Sequence, residues 1–135
     1  MTIRDVLIPA LRGAFPDRGL LTPESGELVA EFPPLCPEVG RLLVYDDGDE
    51  AMVAIENITH HHVNPYNETL TKEERYNWIR DSVMEFLADL FADRVLLWSV
   101  NQGKGGGGWR IPFEGVVPDD LPSGAEAFVW TRKLS

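Results

Sequence analysis

The sequence predicts an α+β domain: a mostly antiparallel β-sheet of about six strands, one long helix over residues 71–93 packed on a face, and a short N-terminal helix. Three observations predict it. At 100° per residue, Tyr76, Ile79, Val83, Phe86, Leu87, Leu90 and Phe91 fall within one arc of roughly 140°, the stripe of a core-facing helix. The period then changes, because Val95-Leu96-Leu97-Trp98-Ser99-Val100 is short, apolar and β-branched, as a central strand requires. Upstream, two apolar runs flank an Asp47-Gly48 pair of the kind that closes a hairpin with positive φ.

In chain order, Ile3, Val6, Leu7, Ala10, Leu11 and Ala14 recur at helical spacing, and Pro9 among them predicts a bent or broken helix. Phe15 to Gly19 reads as a turn, and Glu27 to Phe32 as a first strand stopped by Pro33 and Pro34. The proline-rich run up to Pro37 reads as a rigid connector, and Cys36 within it as an inert thiol with no base nearby in sequence. Arg41–Tyr45 and Ala51–Ile58 form the hairpin, with the second strand expected to run on through Thr59-His60-His61-His62-Val63. Asn64 to Asn67 turns the chain toward the long helix, whose start carries a capping box: Thr71 at the N-cap and Glu74 three residues on. Phe86 and Leu90 are expected in the core. After the strand at 95–100, a flexible glycine loop, Gly103-Lys104-Gly105-Gly106-Gly107-Gly108, leads to an edge strand in which Trp109, Ile111 and Phe113 alternate with polar residues and Pro112. A loop over 115–124 precedes a closing strand over 125–132. No repeat interrupts residues 1–135, which read as a single domain.

The chain has 135 residues and a single cysteine, so no intrachain disulfide can form, and neither a leader-like N-terminus nor a spanning apolar run is visible. A cytoplasmic location is the expectation. The net charge is −10 and unevenly placed: between residues 17 and 70, eleven Asp and Glu residues face only Arg18 and Arg41. Such a field repels nucleic acid backbones, lacks the positive charge that an anionic membrane surface needs, and attracts basic proteins, the alternative being that it serves solubility alone.

Three motifs carry chemistry. In a strand, His60 and His62 share a face about 7 Å apart, close enough to grip one metal ion, while His61 points away. Such a site needs a third ligand, and Glu56 lies too far along the strand to supply it. No cofactor is expected, with a divalent metal at His60 and His62 as the alternative. The glycine loop lacks the spacing of a phosphate cradle and reads as a hairpin loop, or as a flap over a ligand. The acidic tip, with Asp46, Asp47, Asp49 and Glu50, lacks the ligand spacing of a calcium-binding loop. The familiar nucleophile and zinc signatures are absent.

Trp78 stands out against its setting. It falls near the centre of the helix's polar face with Glu74 and Glu85, where either a loop holding Pro65 and Tyr66 covers it or it serves as an anchor for a partner. The function expected from these features is non-enzymatic: an inhibitor or immunity-like interaction module. It would bind a basic partner through Trp78, Glu74, Glu85, Asp46, Asp47 and Asp49. The alternatives are an enzyme or ligand-binding domain with its site near His60 and His62 under a glycine flap, and an accessory assembly subunit.

Overall fold

The computed structural model describes residues 1–134. In order, the elements are α1 (Ile3–Ala14), β1 (Leu28–Phe32), β2 (Leu42–Asp46), β3 (Ala51–Ile55), β4 (Thr59–Val63), α2 (Lys72–Phe91), β5 (Leu96–Val100), β6 (Gly107–Arg110), β7 (Ala125–Val129) and β8 (Arg132–Lys133). The α+β class is as the sequence predicts, with the strands divided between two antiparallel sheets, β1-β2-β3-β4 and β6-β5-β7-β8. Two tight turns account for the strands beyond six. Ile58 N donates to Ile55 O at 2.9 Å, so the run 51–63 folds back on itself and the three histidines lie on a separate strand, β4. Likewise, the closing segment reverses at Trp130–Thr131, where Asp93 accepts from the Thr131 amide (3.2 Å) and hydroxyl (2.5 Å).

Both helices begin with capping boxes. Thr71 Oγ1 accepts from Glu74 N at 3.1 Å while Glu74 Oε1 accepts from Thr71 N at 3.0 Å. Thr2 and Asp5 make the same exchange at the start of α1. Pro9 sits inside α1 without ending it. An interior proline costs about 3 kcal/mol; complete burial of Ile3, Leu7 and Leu11, at about 1.5–3 kcal/mol each, outweighs it.

Tyr76, Ile79, Val83, Leu87, Leu90 and Phe91 of α2 are buried, and they join α1 over the inner face of the first sheet, which supplies Ala30, Phe32, Leu42, Val44, Val53 and Ile55. Phe86 departs from the expectation: at the rim of the stripe it is only half-buried, its ring 4.7 Å from that of Trp109. The opposite face of this sheet carries Leu43, Tyr45, Met52 and Ala54, all half-buried, beside His60 and His62. In the second sheet, β6 ends at Arg110 rather than running to Phe113. Phe113 N instead donates to Arg94 O at 2.7 Å, drawing residues 111–118 toward Leu96. Among the described residues no helix is long and apolar enough to cross a membrane.

Truncating Leu87, which has no exposed surface, to alanine should lower the unfolding free energy by about 2–5 kcal/mol. Phe86→Ala, at a half-buried position, should lower it less. Urea denaturation of the two variants checks the order, and equal losses would contradict the packing.

Candidate functional site

Strand register and one hairpin turn assemble the site. Met52 pairs with His62, Val53 with His61 and Ala54 with His60, so the period of two places His60 and His62 on the outer face, ring centroids 5.5 Å apart. His61 faces the other way, 5.3 Å from the Trp109 ring. Partial loss of water there, and secondarily the His62 charge, push its pKa below the ordinary histidine value.

The acidic tip between β2 and β3 is tied down residue by residue. Asp47 N donates to Glu50 O at 2.9 Å around Gly48, whose φ of 91° lies in the left-handed region open to glycine. Asp46 is taken up by structure: Oδ1 accepts from Gly48 N (2.8 Å) and Oδ2 from Arg4 N (3.2 Å), an unpaired amide of the first turn of α1. Tyr76 of α2 donates its hydroxyl to Gly48 O at 3.4 Å. Held this way, the tip delivers Glu50 to His62, whose Nδ1 donates to Glu50 Oε2 at 2.5 Å. Asn64 Nδ2 donates to Glu50 Oε1 (3.4 Å), and Arg75 donates to Asn64 Oδ1 (3.1 Å). One ligating atom each from Asp47, Glu50 and His62 lies within 4.8 Å of the others. Asp49 instead lines a separate cleft of about 340 Å³ with Asn64, Tyr66 and Arg75.

Glu56 is engaged elsewhere. Arg41 donates to it from Nη2 at 2.7 Å and to Glu31 at 2.5 Å. The guanidinium, followed by the Arg41 backbone amide, holds the Glu56 carboxyl below the usual carboxylate range.

The glycine loop is packed rather than free-standing. Val100 N donates to Gly106 O and Gly105 N to Val100 O, both at 2.9 Å, around Asn101 and Gln102 at φ 52° and 57°. Gly107 and Gly108 belong to β6. A Cβ on Gly107 would lie 2.1 Å from Ile58 O, so the missing side chain is what lets β6 lie against the β3–β4 turn. Between that turn and the loop runs a cleft of about 540 Å³ lined by Glu56, Asn57, His60, Gln102 and Lys104. His60 and the glycine loop thus meet in one cleft, which His62 does not line.

Trp78 is 44% exposed on the outer face of α2, and Tyr66, the side chain named as its cover, is itself 77% exposed. Glu85 is exposed on the same helix. Glu74 serves as the capping residue, and the Thr71 amide keeps its carboxyl below the usual range.

One feature escaped the sequence reading. Phe15, Phe91 and Trp130 follow one another at ring separations of 5.0 and 5.8 Å beneath a groove of about 770 Å³, with Arg18 Cζ 4.7 Å above Phe91. Its parts come from four distant segments, so no local pattern announces it.

Comparison with known proteins leaves the chemistry to the geometry: no family model, no curated protein and no solved structure matches the chain.

Two outcomes check this geometry. Gly107→Ala should destabilise strongly, because backbone must shift, whereas Gly13→Ala, with open space around its Cβ, should stabilise by about 0.5–1 kcal/mol; thermal melts compare them. Glu56→Gln should cost stability at neutral pH. A carboxyl whose folded pKa is depressed contributes above its unfolded value and loses that contribution as pH falls through the folded one. The parent–variant gap in urea midpoint should therefore close below about pH 4. A gap that persists or widens in acid would show that the Arg41 pairing is not its source.

Proposed function

We propose that the protein is a non-enzymatic interaction module, of the inhibitor or immunity type, that presents an acidic surface to a basic partner protein. The observation that carries this reading is Trp78, an indole 44% exposed on the outward face of a well-capped helix. Large aromatics are the side chains most enriched among binding hot spots, where a rigid ring contributes much contact area at little entropic cost. Charge supports the same reading. Eleven carboxylates lie between residues 17 and 70, and of those at the hairpin tip only Asp46 is absorbed by backbone bonds of the fold. Asp47, Asp49 and Glu85 remain exposed to steer encounter. The same charge disfavours nucleic acid, and a lone buried cysteine, Cys36, suits a cytoplasmic setting.

A second reading, a site for a small polar ligand, has one observation in its favour: the cleft that His60 shares with Gln102, Lys104 and Glu56. Its charged and amide side chains, at the rim of the packed glycine loop, supply the polar groups that would fix such a ligand.

The test is kinetic. Association with a captured basic partner should slow as salt rises, because exposed charges are screened over a Debye length of about 8 Å at physiological ionic strength. Trp78→Ala should leave association nearly unchanged and speed dissociation by about thirty-fold, the equivalent of about 2 kcal/mol. Circular dichroism should show the variant folded. Salt-insensitive association, or unchanged dissociation in folded Trp78→Ala, would refute the reading.

A further inference from the structure

We infer that Asp47, Glu50 and His62 form a binding site for a first-row divalent cation of the zinc type. The inference shares Asp47 with the partner-binding reading but does not rest on that reading or on Trp78.

The donor set comes first. One imidazole nitrogen and two carboxylate oxygens match the borderline preference of zinc and cobalt, whereas calcium and magnesium favour all-oxygen shells. Geometry follows. Ligand atoms on a tetrahedral zinc at bonds of about 2.1 Å sit about 3.4 Å apart. The three atoms here lie within 4.8 Å of one another, so a rotation of the exposed Asp47 carboxylate closes the set, while the 2.5 Å contact between His62 Nδ1 and Glu50 Oε2 opens slightly. The cation takes the place of the proton between those two atoms; from a neutral ring that proton is carried on Nε2 instead, and from the imidazolium it is released to solvent.

What separates this from a chance gathering of surface acids is the support behind it. The carboxylate central to the set is oriented from outside by a neutral amide, Asn64 Nδ2, and that amide is fixed in turn by Arg75 of α2. A ligating carboxylate held by an outer hydrogen bond, itself anchored on a helix, is the arrangement that outer-shell partners give metal sites. The backbone is fixed as well, by the Asp47–Glu50 hairpin bond and by Tyr76 on Gly48. Asp47 and His62 are solvent-exposed, so water completes the coordination, and His60, with its ring 5.5 Å from that of His62, stands on the same face.

Calorimetric titration of the full chain, free of any histidine tag, with Zn²⁺, and separately with Co²⁺ followed by its visible absorption, tests the site. The parent should bind one equivalent of each. His62→Ala and Asp47→Asn, both at exposed positions and checked for folding by circular dichroism, should lose saturable binding. Asn64→Ala, which removes the outer support together with the bond that Asn64 Oδ1 accepts from the Tyr66 amide, should, once shown folded by circular dichroism, weaken affinity by about ten-fold or more. Absence of saturable binding by the parent overturns the inference. So does one-to-one binding that survives both His62→Ala and Asp47→Asn.

Discussion

Burial of the α2 stripe is the constraint on which the rest depends. A twenty-residue helix with a capped start cannot leave Tyr76, Ile79, Val83, Leu87 and Leu90 in water. Their coverage by α1 and the first sheet sets where every surface feature falls. Because Tyr76 lies at the start of that stripe, its hydroxyl reaches the hairpin tip at Gly48. Because Arg75 is its neighbour, the same turn holds Asn64 and, through it, Glu50. Trp78, two residues on, must then point outward. One packing decision thus positions the candidate metal ligands and leaves the candidate anchor exposed.

Several carboxylates of the one-sided charge also have local structural roles. Asp46 satisfies a free amide of α1, Glu74 satisfies one of α2, and Glu31 and Glu56 share Arg41. These carboxylates stabilise structure in the way capping and charge-assisted hydrogen bonds do. Those left exposed, among them Asp17, Glu24, Glu27, Asp47, Asp49, Glu68 and Glu85, are available to a cation or a basic surface. Among the carboxylates with structural roles only the Arg41 pairs cancel charge, since a carboxylate that caps an amide remains charged and still adds to the field that a partner would meet.

Much of the fold was legible in the residues. The helical stripe, the Thr71–Glu74 box, the Asp47-Gly48 hairpin and the antiparallel pairing all follow from period, capping and turn chemistry acting locally. The turn at Glu56–Ile58 was not legible, because no glycine or proline marks it, and missing it merged β4 with β3. The two-sheet division follows from long-range pairing that no local pattern encodes. Part of the candidate site was visible too: His60 and His62 were expected on one face, short of a third ligand. The carboxylates that come near His62 are those of Asp47 and Glu50, fifteen and twelve residues upstream, and only the fold-back at Ile58, which sets Met52 opposite His62, brings them within reach. His60 fell to the other cleft for the same reason, since one pleat further along the strand places it toward Gln102 and Lys104.

The convergence of the hairpin tip on His62, driven by burial of α2, is the central claim, and anomalous diffraction from crystals grown with Zn²⁺ tests it most directly. The account predicts one peak bounded by Asp47, Glu50 and His62, with Asn64 still turned toward Glu50 and the Tyr76 hydroxyl still on Gly48. A tip turned away from β4, with no anomalous density beside His62, would contradict it.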